Sequence, residues 1–132
     1  MIVIDASAEV AILLNTGRDV EGIRSRIAHP GETLHIPHLF EIEVLHALRS
    51  LTLRGTVSSE RARLALDRLR DTRFVRYPHT ALTERIWELR ENLTAYDAAY
   101  IALAEALDAP LVTTDARLAR ASGIRAAVEV YE

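Results

Sequence analysis

Short apolar runs alternating with segments of helical length constrain this chain more than any other feature. Ile2-Val3-Ile4, Leu34-His35-Ile36-Pro37, Phe74-Val75-Arg76-Tyr77, Leu111-Val112-Thr113 and Ala127-Val128-Glu129-Val130-Tyr131 are each too short for a helix. Runs of that length bounded by turn residues read as buried strands. Between them lie helical stretches with recognisable starts and stops. Ser7 caps a helix to about Leu14, stopped by Asn15-Thr16-Gly17, and Asp19 caps a second to about Ala28. A long helix spans about Leu39 to Arg54, and Ser58 caps another to about Arg70. Thr80 opens one through about Arg90, Thr94 opens Ala95 to Leu107, and Asp115 begins a short helix to about Ser122. Strands alternating with helices predict an α/β fold in three layers, with a mostly parallel five-stranded sheet flanked by about seven helices.

The 132 residues suffice for a single domain, 1–132, with a substantial core. With no cysteine, a disulfide scaffold, a thiolate zinc site and a cysteine nucleophile are excluded. No apolar run approaches a membrane span and no signal segment precedes Asp5, so a cytoplasmic protein without membrane contact is expected. The net charge of −3 is a weak guide to nucleic-acid binding, because a metal-dependent nuclease carries acids that its ions neutralise.

Ligands of parallel sheets bind at the carboxyl ends of the strands. Asp5 and Asp115 follow the first and fourth strands at that edge. Each could instead be a plain helix cap, and Thr94-Ala95-Tyr96-Asp97 has the spacing of a capping box. Glu41 and Glu43 border the apolar stripe of the long helix on opposite flanks, and helical geometry does not choose between them. Several carboxylates gathered at one edge would repel each other without a cation. Hard cations such as magnesium take such oxygen ligands. The histidines lack zinc-site spacing, and no glycine-rich phosphate loop or serine-hydrolase elbow is present.

Four blocks, in order, resemble the PIN domains, especially the VapC ribonuclease toxins: Ile2 to Ala8; Pro37-His38-Leu39 with Glu43 to Arg49; Leu93 to Tyr100; and Leu111 to Leu118. The resemblance selects Glu43 over Glu41. It implies an acidic pocket of Asp5, Glu43, Asp97 and Asp115 holding one or two Mg2+ or Mn2+ ions. It further implies hydrolysis of RNA by metal-activated water, leaving a 5′-phosphate and a 3′-hydroxyl. Ser7 and Thr114 are adjacent hydroxyls expected to orient waters or an acid, while Arg49 and Arg117 are the expected contacts to RNA phosphate. A VapB-like antitoxin and a homodimer are the implied partners. His46 departs from the pattern, since many relatives carry asparagine there. Two alternatives stand beside this reading: a PIN-like nuclease acting in RNA processing or on DNA, and an inactive PIN fold used for binding. The arginines between Arg61 and Arg76, interleaved with Glu60, Asp67 and Asp71, read as a solvated face.

Overall fold

The computed structural model describes all residues from Met1 to Glu132. The elements run β1 (Ile2–Ile4), α1 (Ala6–Leu14), α2 (Val20–Ile27), β2 (Leu34–Pro37), α3 (Phe40–Leu53), α4 (Ser59–Asp71) and β3 (Val75–Tyr77). A 3₁₀ turn (Thr80–Leu82) then leads into α5 (Thr83–Glu88), α6 (Ala95–Leu107), β4 (Leu111–Thr113), α7 (Ala116–Arg120) and β5 (Val128–Val130). The sheet order is β3-β2-β1-β4-β5. All of its pairings are parallel, so the expected mostly parallel sheet is wholly so. Successive strands step outward from β1 in one direction through β2 and β3. The chain then returns past β1 to place β4 and β5 on its other side.

The three residues of β1 have no exposed surface, as their unbroken apolar sequence requires of a central strand covered on both faces. Right-handed crossovers place α1 to α4 on one face and α5 to α7 on the other. Helix packing divides the same way, with α1 against α2, α3 and α4, and α5 against α6. Ala98 to Ala104 form an unbroken buried stretch of α6. The small side chains at Ala98, Ala99, Ala102 and Ala104 let this helix lie close against β1, β2 and β4. His35 is a core residue whose ring nitrogens meet the Thr33 hydroxyl at 2.8 Å and the Tyr77 hydroxyl at 2.7 Å, tying β2 to β3. No helix is long and apolar enough to cross a membrane.

Two expected helix boundaries change. The helix expected from Thr80 to Arg90 opens as a 3₁₀ turn and ends at Glu88, with buried Leu82 and Leu89 flanking its regular part. Helix α1 begins at Ala6, so Asp5 rather than Ser7 is its cap, accepting from the Ala8 amide at 3.0 Å.

One buried charge lies away from the strand ends. Glu9 of α1 is 3% exposed, and burial alone pushes its carboxyl up to about 7. The folded state therefore holds this proton more tightly than the unfolded chain. Its contribution to stability is complete below the ordinary glutamate range and is lost as pH climbs through about 7. Glu9→Gln should remove that loss and stabilise the fold at pH 8 by about 3 kcal/mol, with little change at pH 4. Urea unfolding of both proteins across that range checks it; parallel pH profiles would contradict it.

Candidate active site

Strands β1 and β4 lie in register, with Val3 beside Leu111 and Ile4 beside Val112. One step further, the Asp5 amide donates to the Val112 carbonyl at 3.1 Å, which sets Asp5 level with Thr113. The chain leaves these two strands toward opposite faces of the sheet, so a crevice opens between their carboxyl ends. Such switch points are where open α/β sheets bind ligands. Helices α1, α3 and α7 follow their strands and start at this edge, while α6 runs back toward the start of β4 and starts here too. Asp5 and Asp115 cap α1 and α7, and Glu43 and Asp97 lie in the first turns of α3 and α6. Each helix start carries partial positive charge, which partly offsets its acid.

Asp5 is buried and held by three donors. Its Oδ1 accepts from the Ser7 hydroxyl at 2.6 Å and the Ala8 amide at 3.0 Å, and its Oδ2 accepts from the Thr113 hydroxyl at 2.5 Å. Thr113 Oγ1 also accepts the Asp115 amide at 2.9 Å. Burial nevertheless keeps the Asp5 carboxyl above its ordinary value, and Asp115 pushes it the same way. Burial likewise raises Glu43, with Asp97 and Asp5 adding to the shift and the Tyr100 hydroxyl opposing it. Asp97 is raised by burial and then by Asp115, against a lowering by Arg117. Asp115 alone is lowered, first because the Arg117 side chain bonds it. The guanidinium of Arg117 reaches both Asp115 oxygens at 2.5 to 3.2 Å while remaining mostly solvent-exposed.

These mutual influences link the four predicted acids into one cluster. Glu41 is drawn away by Arg76, whose Nε reaches it at 2.5 Å, so geometry now separates it from Glu43. Ser7 supplies one hydroxyl to Asp5. The second hydroxyl on Asp5 belongs to Thr113 and not to Thr114, because residues level with each other on paired strands share a face and the next residue points away. Thr114 contributes its backbone amide, which donates to Ser7 Oγ at 3.2 Å. Arg49 lines a groove between α3 and α4 with Leu45, Ala62 and Leu66, whereas Arg117 is bonded to the cluster itself. Of the other arginines, Arg61 is bound to the Leu14 carbonyl and Arg63 to Asp67.

Sequence reasoning passed over Tyr100 and Tyr96. Tyr100 follows Asp97 by one helical turn, and its hydroxyl is buried without a hydrogen-bond partner. Burial and the adjacent Glu43 hold its phenol far above the ordinary range, so it stays protonated. The spacing of Tyr100 from Asp97 was the available signal. Tyr96 is 64% exposed and helps line a cleft of about 480 Å³ with Ile42, Glu43, His46 and Ala47. A second cleft of about 300 Å³ includes Thr94, Asp97, Arg117 and Arg120. Neighbouring residues on a helix point about 100° apart, so the first turn of α6 separates the two clefts. The donor set is all oxygen, which suits a hard divalent cation and not zinc or copper. No three acid or histidine side chains stand close enough together to hold a metal ion in the resting structure.

The PIN domain family model matches residues 2–124. The chain is 50% identical to ribonuclease VapC9 of Mycobacterium tuberculosis over 118 residues, which are 89% of this chain and 88% of that protein. Identity to ribonuclease VapC1 of the same organism is 46% over 123 residues, 92% of this chain and 91% of the relative. Among solved structures, VapBC2 from Rickettsia felis, bound to a promoter DNA fragment, superposes with a TM-score of 0.71 at 18% identity, covering 100% of both chains.

Thr113→Val keeps the shape of the side chain and removes the hydroxyl that serves Asp5 and the Asp115 amide. The variant should lose about 2 kcal/mol of stability, the scale of a hydrogen bond to a buried carboxylate. Denaturant unfolding measures this, and a stability equal to the parent would contradict the network described.

Proposed function

The chain belongs to the PIN-domain family, and from that membership we propose that it is a Mg2+- or Mn2+-dependent endoribonuclease, the toxin of a VapBC-type toxin–antitoxin pair acting in the cytoplasm. One observation carries the reading. Asp5, Glu43, Asp97 and Asp115 influence one another at a single sheet edge, and three of them are raised above their ordinary values. The VapC relatives, which are named ribonucleases, supply the substrate class.

The four acids would hold one or two divalent ions. A bound ion supplies Lewis-acid polarisation of a phosphoryl oxygen and a water of lowered pKa. The residues of the chain do the rest. Ser7 and Thr113 fix the orientation of Asp5, as second partners of a metal ligand do. Arg117 and Arg120 offer planar donors to phosphate on the Asp97 side. Tyr96, His46 and Ile42 offer a partly apolar cleft to an unpaired base on the Glu43 side. RNA drawn across the α6 start would then present one phosphodiester to the acids. Water attack in line with O3′ breaks the P–O3′ bond and leaves a 5′-phosphate and a 3′-hydroxyl.

For protein partners, exposed Ile42, Leu45 and Leu53 on α3 and Leu64 on α4 leave apolar surface to be covered. An antitoxin and a homodimer are both part of the proposal.

Asp5→Asn and Asp97→Asn should each lower RNA cleavage at least about 100-fold, and a chelator should abolish it in the parent. Undiminished cleavage in both variants, or in excess EDTA, would reject the metal centre. Because the raised acids must release protons to bind an ion, metal affinity should climb as pH rises above the ordinary carboxylate range. Tyr96→Ala should raise KM for single-stranded RNA about 10-fold, the scale of one lost base stack, and leave metal affinity unchanged. An unchanged KM would remove Tyr96 from the substrate path.

A further inference from the structure

Tyr100 carries a hydroxyl that the metal-free chain does not use. Its side chain is 2% exposed and is held on α6 among buried alanines and Ile101. The hydroxyl stands between the Ala6 amide and the Glu43 carboxyl, near enough to oppose the rise of the Glu43 carboxyl yet outside hydrogen-bond geometry with either. Buried polar groups without partners are rare and call for an explanation. Glu43 presents the complementary deficit. Asp5 is fixed by three donors and Asp115 by Arg117, whereas no donor closes on Glu43.

We propose that Tyr100 is the positioning residue for Glu43: its hydroxyl donates to one carboxylate oxygen when the other turns toward a divalent cation. The proposal rests on the metal-centre reading above. A carboxylate that ligates through one oxygen leaves the second needing a donor, and such outer partners fix which rotamer ligates. A glutamate reaches its ligating position through three torsions, so an unheld Glu43 spends most of its time elsewhere. A neutral phenol on a packed helix provides a donor at a fixed place without adding charge to the cluster. The unpaired hydroxyl is thus the resting state of a contact completed when Glu43 moves onto the ion.

The test compares the parent chain, Tyr100→Phe, Glu43→Gln and the double variant, titrating metal-free protein with Mn2+ by calorimetry and recording thermal unfolding without metal. Tyr100→Phe should bind Mn2+ about 10-fold more weakly. Its metal-free unfolding temperature should be unchanged or higher, because no hydrogen bond is lost. Adding Tyr100→Phe to Glu43→Gln should cause no further loss of affinity. Parental affinity in Tyr100→Phe, with Glu43→Gln weakened, would overturn this proposal alone. So would a full additional loss in the double variant, or a lower unfolding temperature with Mn2+ affinity intact. Parental affinity in Glu43→Gln would overturn the metal-centre assignment of Glu43 beneath it.

Discussion

Repulsion among carboxylates is the constraint around which this fold is arranged. Asp5, Glu43, Asp97 and Asp115 are brought to the β1–β4 switch point by strand ends and helix starts. The resting protein answers the repulsion in three ways. Helix starts supply partial positive charge at each acid. Arg117 lays its guanidinium across Asp115. Burial first, and then the neighbouring acids, raise Asp5, Glu43 and Asp97, so these hold protons more readily than free carboxyls do. A divalent cation would replace all three remedies with one centre of charge.

The hydrogen bonds around Asp5 show how tightly site and fold are joined. Thr113 serves the Asp5 carboxyl and the Asp115 amide, while Ser7 serves the same carboxyl and the Thr114 amide. These contacts fasten the ends of β1 and β4 where the ladder between them runs out. Asp5 is therefore at once a helix cap, a link between strands and a member of the acid cluster. The two clefts flanking the α6 start give the cluster unlike neighbours, with arginines beside Asp97 and an exposed tyrosine beside Glu43.

Much of the architecture was legible in residue order. Ile2-Val3-Ile4 and Leu111-Val112-Thr113 announced buried strands, and Ser58, Asp19 and Thr94 announced the helices that they cap. What escaped depended on register and depth. Thr114 was expected to orient waters or an acid, but the pairing of Ile4 with Val112 puts Thr113 beside Asp5, and no local pattern reveals that alignment. The choice of Asp5 over Ser7 as cap turned on a helix start displaced by two residues. Tyr100 and Glu9 looked like ordinary helix residues, because burial of a polar group is a property of the assembled layers and not of its neighbours in sequence. Glu43 could be told from Glu41 on geometry alone only once Arg76, distant in sequence, was seen to hold Glu41.

The most direct measurement of the central claim is the unfolding temperature of the parent chain as MgCl2 or MnCl2 is raised at constant ionic strength. A cation that binds the folded acids and not the unfolded chain must stabilise the fold in proportion to the logarithm of its concentration once the site fills. The account requires a steady rise for the parent and none for a chain carrying both Asp5→Asn and Asp97→Asn. An unfolding temperature indifferent to either cation through the millimolar range would contradict it.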